Sequence, residues 1–380
     1  MRRGISLIEV LVSIFVLLFG LLAVVAILPV AGLRIIQTTQ ADHCAACGQS
    51  GLRDVKIRGL CNPHVWLQWD ASTDTFEPAV QGDPTVLNYR ESFAIDPLGF
   101  SETPEDRHAR FPADPPAGTR SMRRVTLETL RGDGTRGPMF WGEAERLFGW
   151  TDDLTVTTID EQRPALLEAD GVIQWNGDYS WFATVTPEAT FEAGGFHETE
   201  RNRNYRLSVV VVHGRQPWTA DAVLPPERTV TAQMLSVGLG GGEVRLSVNI
   251  DRLPESLSLR KGRWLMLSGV DNSSSTPRDA FRWYRVVTAT DAYQTTEDVD
   301  GDGNVDVDED ANGNGMLDPG EDLDGDGNLD IDEDLDGDGT VDDLWARDVS
   351  IAGPDWTFGT VCEAVLVDGV LGVYTEAVEL

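Results

Sequence analysis

An apolar run constrains this chain first. From Ile5 to Ala31, in "ISLIEVLVSIFVLLFGLLAVVAILPVA", 27 consecutive residues carry one ionisable side chain, Glu9. As a helix such a run is long enough to cross about 30 Å of hydrocarbon. Arg2 and Arg3 precede it, and the positive-inside rule then sets the N-terminus in the cytoplasm and the rest of the chain outside. The expectation is a single-pass membrane span. A cleaved secretory signal has a shorter apolar stretch, roughly 7–15 residues. A plain signal anchor explains length and orientation but leaves Glu9 unexplained, because a carboxylate near the bilayer centre costs about 2.5–3.5 kcal/mol on insertion scales.

The stretch "RRGISLIEVLV" resembles the processing site of type IV prepilins and of the pseudopilins of type II secretion. Its continuation "LIEVLVSIFVLLFGLLAVVA" is similar to the minor pilins and minor pseudopilins. The resemblance implies a leader, residues 1–4, cut after Gly4 by a prepilin peptidase. It implies that Ile5 becomes the N-methylated terminus and that Glu9 is the fifth mature residue. Glu9 then has a purpose: its carboxylate meets the Ile5 ammonium of a neighbouring subunit, which offsets the desolvation of both charges. The implied partners are the prepilin peptidase, other pilins or pseudopilins met through the N-terminal helix, and an inner-membrane assembly platform. The implied place is the bacterial cytoplasmic (inner) membrane, or a pilus or pseudopilus built from it.

The helical pattern continues past the apolar run. Leu33, Ile36, Ala41, Cys44, Cys47, Leu52 and Val55 recur at spacings of three to five, an apolar stripe between polar residues. The pattern predicts one helix over 5–56, first transmembrane and then amphipathic, ended by Gly59 and Cys61-Asn62-Pro63. Cys44-x-x-Cys47 with Cys61-x-x-His64 has the spacing of a Cys₃His zinc site. Buried thiols on the helix face, or a disulfide through Cys61, are the alternatives.

Residues 57–380 form the rest, a β-rich head. Between Val65 and Glu200 no period is sustained, though "YSWFATVT" reads as a strand and "WGEAERLFGW" as a short helix. From Tyr205 the runs "YRLSVVVVHG", "TVTAQMLSVGL", "EVRLSVNI", "RWLMLSGV", "FRWYRVVTAT", "LWARDVSIA", "TVCEAVLVDG" and "GVYTEAVEL" are β-rich and punctuated by Gly, Pro and Asn. Several alternate apolar and polar residues, as in an antiparallel sheet with one covered face. The expected fold class is α+β: one long N-terminal membrane-spanning helix packed on an antiparallel β-rich globular head.

Charge is concentrated in one segment. The net charge is −33, and 20 of the 63 acidic residues, but none of the 30 basic ones, fall between Asp298 and Asp343. Such a balance disfavours nucleic acid and anionic membrane surfaces as partners. The segment, 298–345, interrupts two runs that would otherwise form a hairpin, and it has a twelve-residue period. The first unit offers Asp298, Asp300, Asp302, Asn304 (through its carbonyl), Asp306 and Glu309. The second offers Asp310, Asn312, Asn314, Met316 (carbonyl), Asp318 and Glu321. Asp322, Asp324, Asp326, Asn328 (carbonyl), Asp330 and Glu333 make the third. In the fourth, Asp334, Asp336, Asp338, Thr340 (carbonyl) and Asp342 stand without a final acid, because Trp345 takes position 12. Oxygens at 1, 3, 5, 7, 9 and 12, with Gly at position 6 (303, 315, 327, 339), are the ligand order of an EF-hand calcium loop. No helices fit between units, so the segment resembles the tandem aspartate-rich calcium repeats of extracellular proteins such as thrombospondins. A solvated acidic linker is the plainer alternative, and the strict glycine spacing speaks against it.

Nothing in the sequence marks an enzyme. The five histidines (43, 64, 108, 197, 213) form no H-E-x-x-H, and there is no G-x-S-x-G or Walker A motif. The sequence therefore reads as a non-enzymatic minor pilin or pseudopilin with calcium as its cofactor. The competing reading is a signal-anchored extracytoplasmic adhesin or hydrolase domain.

Overall fold

The computed structural model describes residues 7–80, 91–100, 107–113, 115–116, 118–130, 134–139, 141–150, 154–157, 172–175, 178–188, 204–215, 224–271, 278–296, 343–359 and 361–379. The chain divides into two compact units, Met1–Ala46 and Cys47–Leu380. One helix, α1 (Leu7–Ile57), runs through the first and into the second. Gly59, in a left-handed conformation at φ +62°, follows its end, as a residue without Cβ allows.

The second unit is built from two β layers. The strands β1 (Trp66–Asp70), β2 (Thr75–Pro78), β3 (Phe93–Ile95), β4 (Arg110–Phe111), β5 (Met122–Leu130) and β6 (Arg136–Pro138) come first. A short helix α2 (Trp141–Phe148) and a separate two-stranded sheet, β7 (Leu154–Thr157) with β8 (Val172–Trp175), lead on to β9 (Tyr179–Pro187) and β10 (Asn204–His213). After these come β11 (Glu227–Gly238), β12 (Gly241–Asn249), β13 (Trp264–Asp271), β14 (Arg278–Ala289), β15 (Tyr293–Thr296), β16 (Asp343–Ala352), β17 (Val361–Val367) and β18 (Val370–Glu379).

The first layer is a nine-stranded sheet in the order β18-β10-β9-β3-β5-β1-β2, with β4 and β6 also on β5. It is mixed, because β3 and β5 run parallel. The second runs β12-β11-β17-β13-β14-β16-β15, and β12 also pairs with β16. Six strands thus close into a barrel, with β15 outside it. Closure leaves those six strands with no open edge.

The "VVVV" of β10 shows why this sequence builds layers. Val209 to Val212 are all fully buried, as in a strand covered on both faces. Val210 and Val212 join a core with Phe111 and Phe182 of the sheet and Met266, Phe281 and Trp283 of the barrel. Val209 points the other way, where a side chain at Gly51 would collide with it and with Trp181. The last turns of α1, from Cys47 on, therefore pack on the outer face of the sheet through small residues. Gly48 likewise admits the Tyr374 ring.

Charge also joins sheet to barrel. Asp96 after β3, Arg124 in β5, Arg215 after β10 and Glu227 opening β11 are all nine-tenths buried or more by side chain. Arg215 grips Asp96 with two bonds of 2.6 Å each. Arg124 Nη2 bonds Glu227, and its Nε lies 3.5 Å from Asp96. Arg124 Nη1 also donates to the Gly99 carbonyl (2.7 Å), and the Ala113 amide to Glu227 (3.0 Å). Burial pushes the Asp96 carboxyl up, but Arg215 and then Arg124 outweigh it and hold it below the ordinary carboxylate range. That stabilisation is complete above the unfolded pKa of about 3.9 and is lost as pH falls through the lower folded value.

The structure corrects the expected fold class. The head is mostly β, a closed barrel beside a mixed sheet, rather than an α+β antiparallel head on a membrane span. Alternation in the sequence gives strands, but it does not report that β12 finds β16. Among the described residues, no helix is long and apolar enough to cross a membrane. The transmembrane, single-pass inner-membrane placement does not stand.

Breaking the buried quartet should cost more than removing it. Arg124→Met is expected to destabilise the second unit by about 3–5 kcal/mol, because it strands Glu227. Arg124→Met with Glu227→Leu should recover most of that loss, as read from urea unfolding.

Candidate functional site

Two places on this chain bear on its function. The first is the N-terminal part of α1. Every large apolar side chain described from Leu7 to Leu22 is 46–80% exposed, on all sides of the helix. The Phe15 and Phe19 rings, one turn apart, pair at 4.6 Å. A helix that is apolar all round is buried in its working state. Glu9 lies in this helix, in its first turn; its side chain, like Gly4 and Ile5 entirely, falls outside the described residues.

The second place is the barrel hairpin that flanks the acidic segment. β15 and β16 pair antiparallel, with Thr296 opposite Asp343. The chain thus leaves and re-enters the barrel at neighbouring ladder positions, within roughly 5 Å between Cα atoms. A polar clasp fixes the hairpin to the barrel wall. The Tyr293 hydroxyl donates to both Asp348 carboxylate oxygens at 3.0 Å, and Arg245 Nε donates to one of them at 3.0 Å. Burial, then the bond to Asp348, pushes the Tyr293 hydroxyl above its ordinary pKa.

All the sequence-derived calcium ligands, from Asp298 to Asp342, lie outside the described residues. The last positions of the fourth unit do not. Leu344 is buried in β16, and Trp345 packs against the barrel core. The fourth unit lacks its terminal acid because position 12 is already a barrel residue.

The cysteines fall apart as a site. Cys44, Cys47 and Cys362 are buried and Cys61 is half-buried. Burial pushes the Cys61 thiol up to about 12, away from the thiolate that zinc binds. Among the described residues no three His, Cys, Asp or Glu side chains are grouped to hold a metal ion.

Sequence reasoning missed one cleft, about 690 Å³ in volume, whose walls include Trp69, Phe76, Phe100, Arg107 and Trp141. The Trp and Pro richness of 65–141 was its only signal. The Arg107 guanidinium already lies over the Trp69 and Phe76 rings, at 4.7 and 5.5 Å, so their faces are covered.

No protein-family model, no curated protein and no solved structure matches the chain. Its function is therefore argued from its own residues. One test bears on the hairpin. Trp345→Glu completes the fourth calcium unit but puts a carboxylate against the barrel core. It should lower stability in chelator by about 2–4 kcal/mol and regain part of that in calcium. Unchanged stability in chelator would remove Trp345 from the core.

Proposed function

We propose that the chain is a non-enzymatic subunit of a pilus or pseudopilus, cut after Gly4 by a prepilin peptidase and joined to like subunits through its N-terminal helix. The observation that carries this reading is the exposed apolar surface from Leu7 to Leu22, directly behind a prepilin-like cleavage motif. A bundle of such helices from neighbouring subunits covers that surface on every side. The reading asks α1 to pack on other helices and takes no membrane crossing from it. Within the bundle, the Ile5 ammonium and Glu9 carboxylate of neighbours pair and fix the axial register. Glu9→Val leaves the helix apolar and removes the register. Because an unpaired buried ammonium costs about 3–5 kcal/mol, crosslinking to partner subunits should fall at least tenfold. Normal crosslinking would contradict the proposal.

The acidic segment serves the same subunit as a calcium-stiffened insert. Three complete units offer the oxygen ligands of about three ions, with a weaker fourth. Support comes from the twelve-residue period and from the clasped hairpin whose paired ends hold the segment's two termini together. Ions bound to the folded form only raise its stability by mass action. Chelation should therefore lower the Tm of the full chain, with millimolar calcium restoring it. Replacing Asp298, Asp310 and Asp322 together by Ala should abolish the response. A calcium-independent Tm in the native chain would reduce the segment to a solvated linker.

A further inference from the structure

Cations gather at one turn of the barrel without carboxylates among them. The stretches 256–270 and 280–290 hold Arg260, Lys261, Arg263, Arg282 and Arg285 and no acid. All but Arg282 come together on the surface. Residues 260–263 form the turn that leads into β13, closed by the Arg263 amide on the Arg260 carbonyl (3.0 Å). The Gly262 amide donates to the Val286 carbonyl and the Val286 amide to the Arg263 carbonyl, both at 2.8 Å, which pins the turn to β14. Arg285 is the β14 residue opposite Trp264, and its guanidinium lies 3.9 Å from where a Cβ at Gly262 would stand. Arg260, Lys261, Arg263 and Arg285 are all exposed.

Among the described residues no carboxylate pairs with any of these four. Arg263 reaches the Val370 carbonyl at 3.5 Å. Asp368, two residues before Val370, is held by Arg228 at 2.9 Å, and Asp355, three residues after Ala352, accepts from the Gly240 amide at 2.7 Å. Arg58, Arg123 and Arg245 elsewhere on the surface each hold a carboxylate. The turn instead keeps four like charges side by side, an arrangement that repels itself until an anion arrives.

The complementary charge belongs to the same sequence, at the far end of one strand. Arg285 stands opposite Ala352 of β16. β16 begins at Asp343, where the acidic segment rejoins the barrel. Nine residues of strand separate Ala352 from Asp343, about 30 Å. The segment from Asp298 to Asp343 carries 20 acids and no base.

We propose that the turn from Arg260 to Arg263, with Arg285, is the docking surface for the acidic segment of a neighbouring copy of this chain. A positive patch and a negative segment at opposite ends of one strand make a heterologous pair, which repeats from subunit to subunit as a filament does. Exposed ion pairs are individually weak and screened by salt, so the contact orients copies that the N-terminal helices already hold together. The inference thus rests on the reading of the chain as an assembly subunit. Charges more than about 8 Å away are largely screened at physiological salt, so the net charge of −33 opposes this local contact little.

The test is zero-length carbodiimide crosslinking of the full chain, with unlabelled and nitrogen-15-labelled copies mixed in equal amounts. The chain has two lysines, and Lys56 is held by Glu376 at 2.6 Å, so Lys261 is the amine that reports on the patch. Mass spectrometry should find Lys261 joined to the segment 298–343, with both isotopes in one product. Raising NaCl to about 1 M, where the Debye length is about 3 Å, should lower that product about fivefold or more. Arg260→Glu with Arg285→Glu should do the same, while crosslinking through the N-terminal helix stays as it was. The surface and the subunit reading therefore fail separately, and the salt arm needs no variant to fold. Absence of the Lys261 product, products of a single isotope only (the segment folding back on its own barrel), or a yield unchanged by charge reversal or salt would each overturn the surface.

Discussion

Where the chain passes from sheet to barrel, two arginines and two carboxylates share one buried place. Arg215 lies just before the passage and Glu227 just after it, while Asp96 and Arg124 come from the middle of the sheet. None of the four is stable there alone. Together they are neutral, and each carboxylate is held by an arginine. The arrangement exists only when β3, β5, β10 and β11 are all in place, so it makes the sheet and barrel conditional on each other. The apolar contact of Phe182 and Val210 with Phe281 and Trp283 supplies area; the quartet supplies registry. Gly99 is part of the same device, since a side chain there would collide with the Asp96 carboxylate.

Local structure was legible in the sequence where one physical signal dominated. The β10 run Tyr205–His213, the strand at "YSWFATVT" and the helix at "WGEAERLF" all lie where alternation, branched side chains or amphipathic spacing put them. The stop of α1 near Gly59 was legible for the same reason. Long-range facts were not. The parallel pairing of β3 with β5 and the closure of β12 on β16 depend on which edges meet, and alternation is blind to that. The membrane span failed for a different reason: a count of apolar letters does not establish a spanning helix.

The candidate sites divide in the same way. The twelve-residue acid period and the cleavage motif are patterns in the letters, and they carry the proposed function from outside the described residues. The structure contributes their surroundings, the exposed helix and the clasped hairpin. Arg124, by contrast, looks like an ordinary charged residue in a strand run. The signal that would have found it is a cation at an inward position of an alternating strand, in "MRRVTL". Its chemistry becomes visible only once the facing strands are known.

The central claim is that the exposed apolar helix belongs to a processed assembly subunit. The intact mass of the chain isolated from its native cells tests it most directly. The account predicts a chain that begins at Ile5 and carries one added methyl group on its terminal nitrogen. A chain that retains residues 1–4, or that begins at Ile5 without the methyl group, would contradict it.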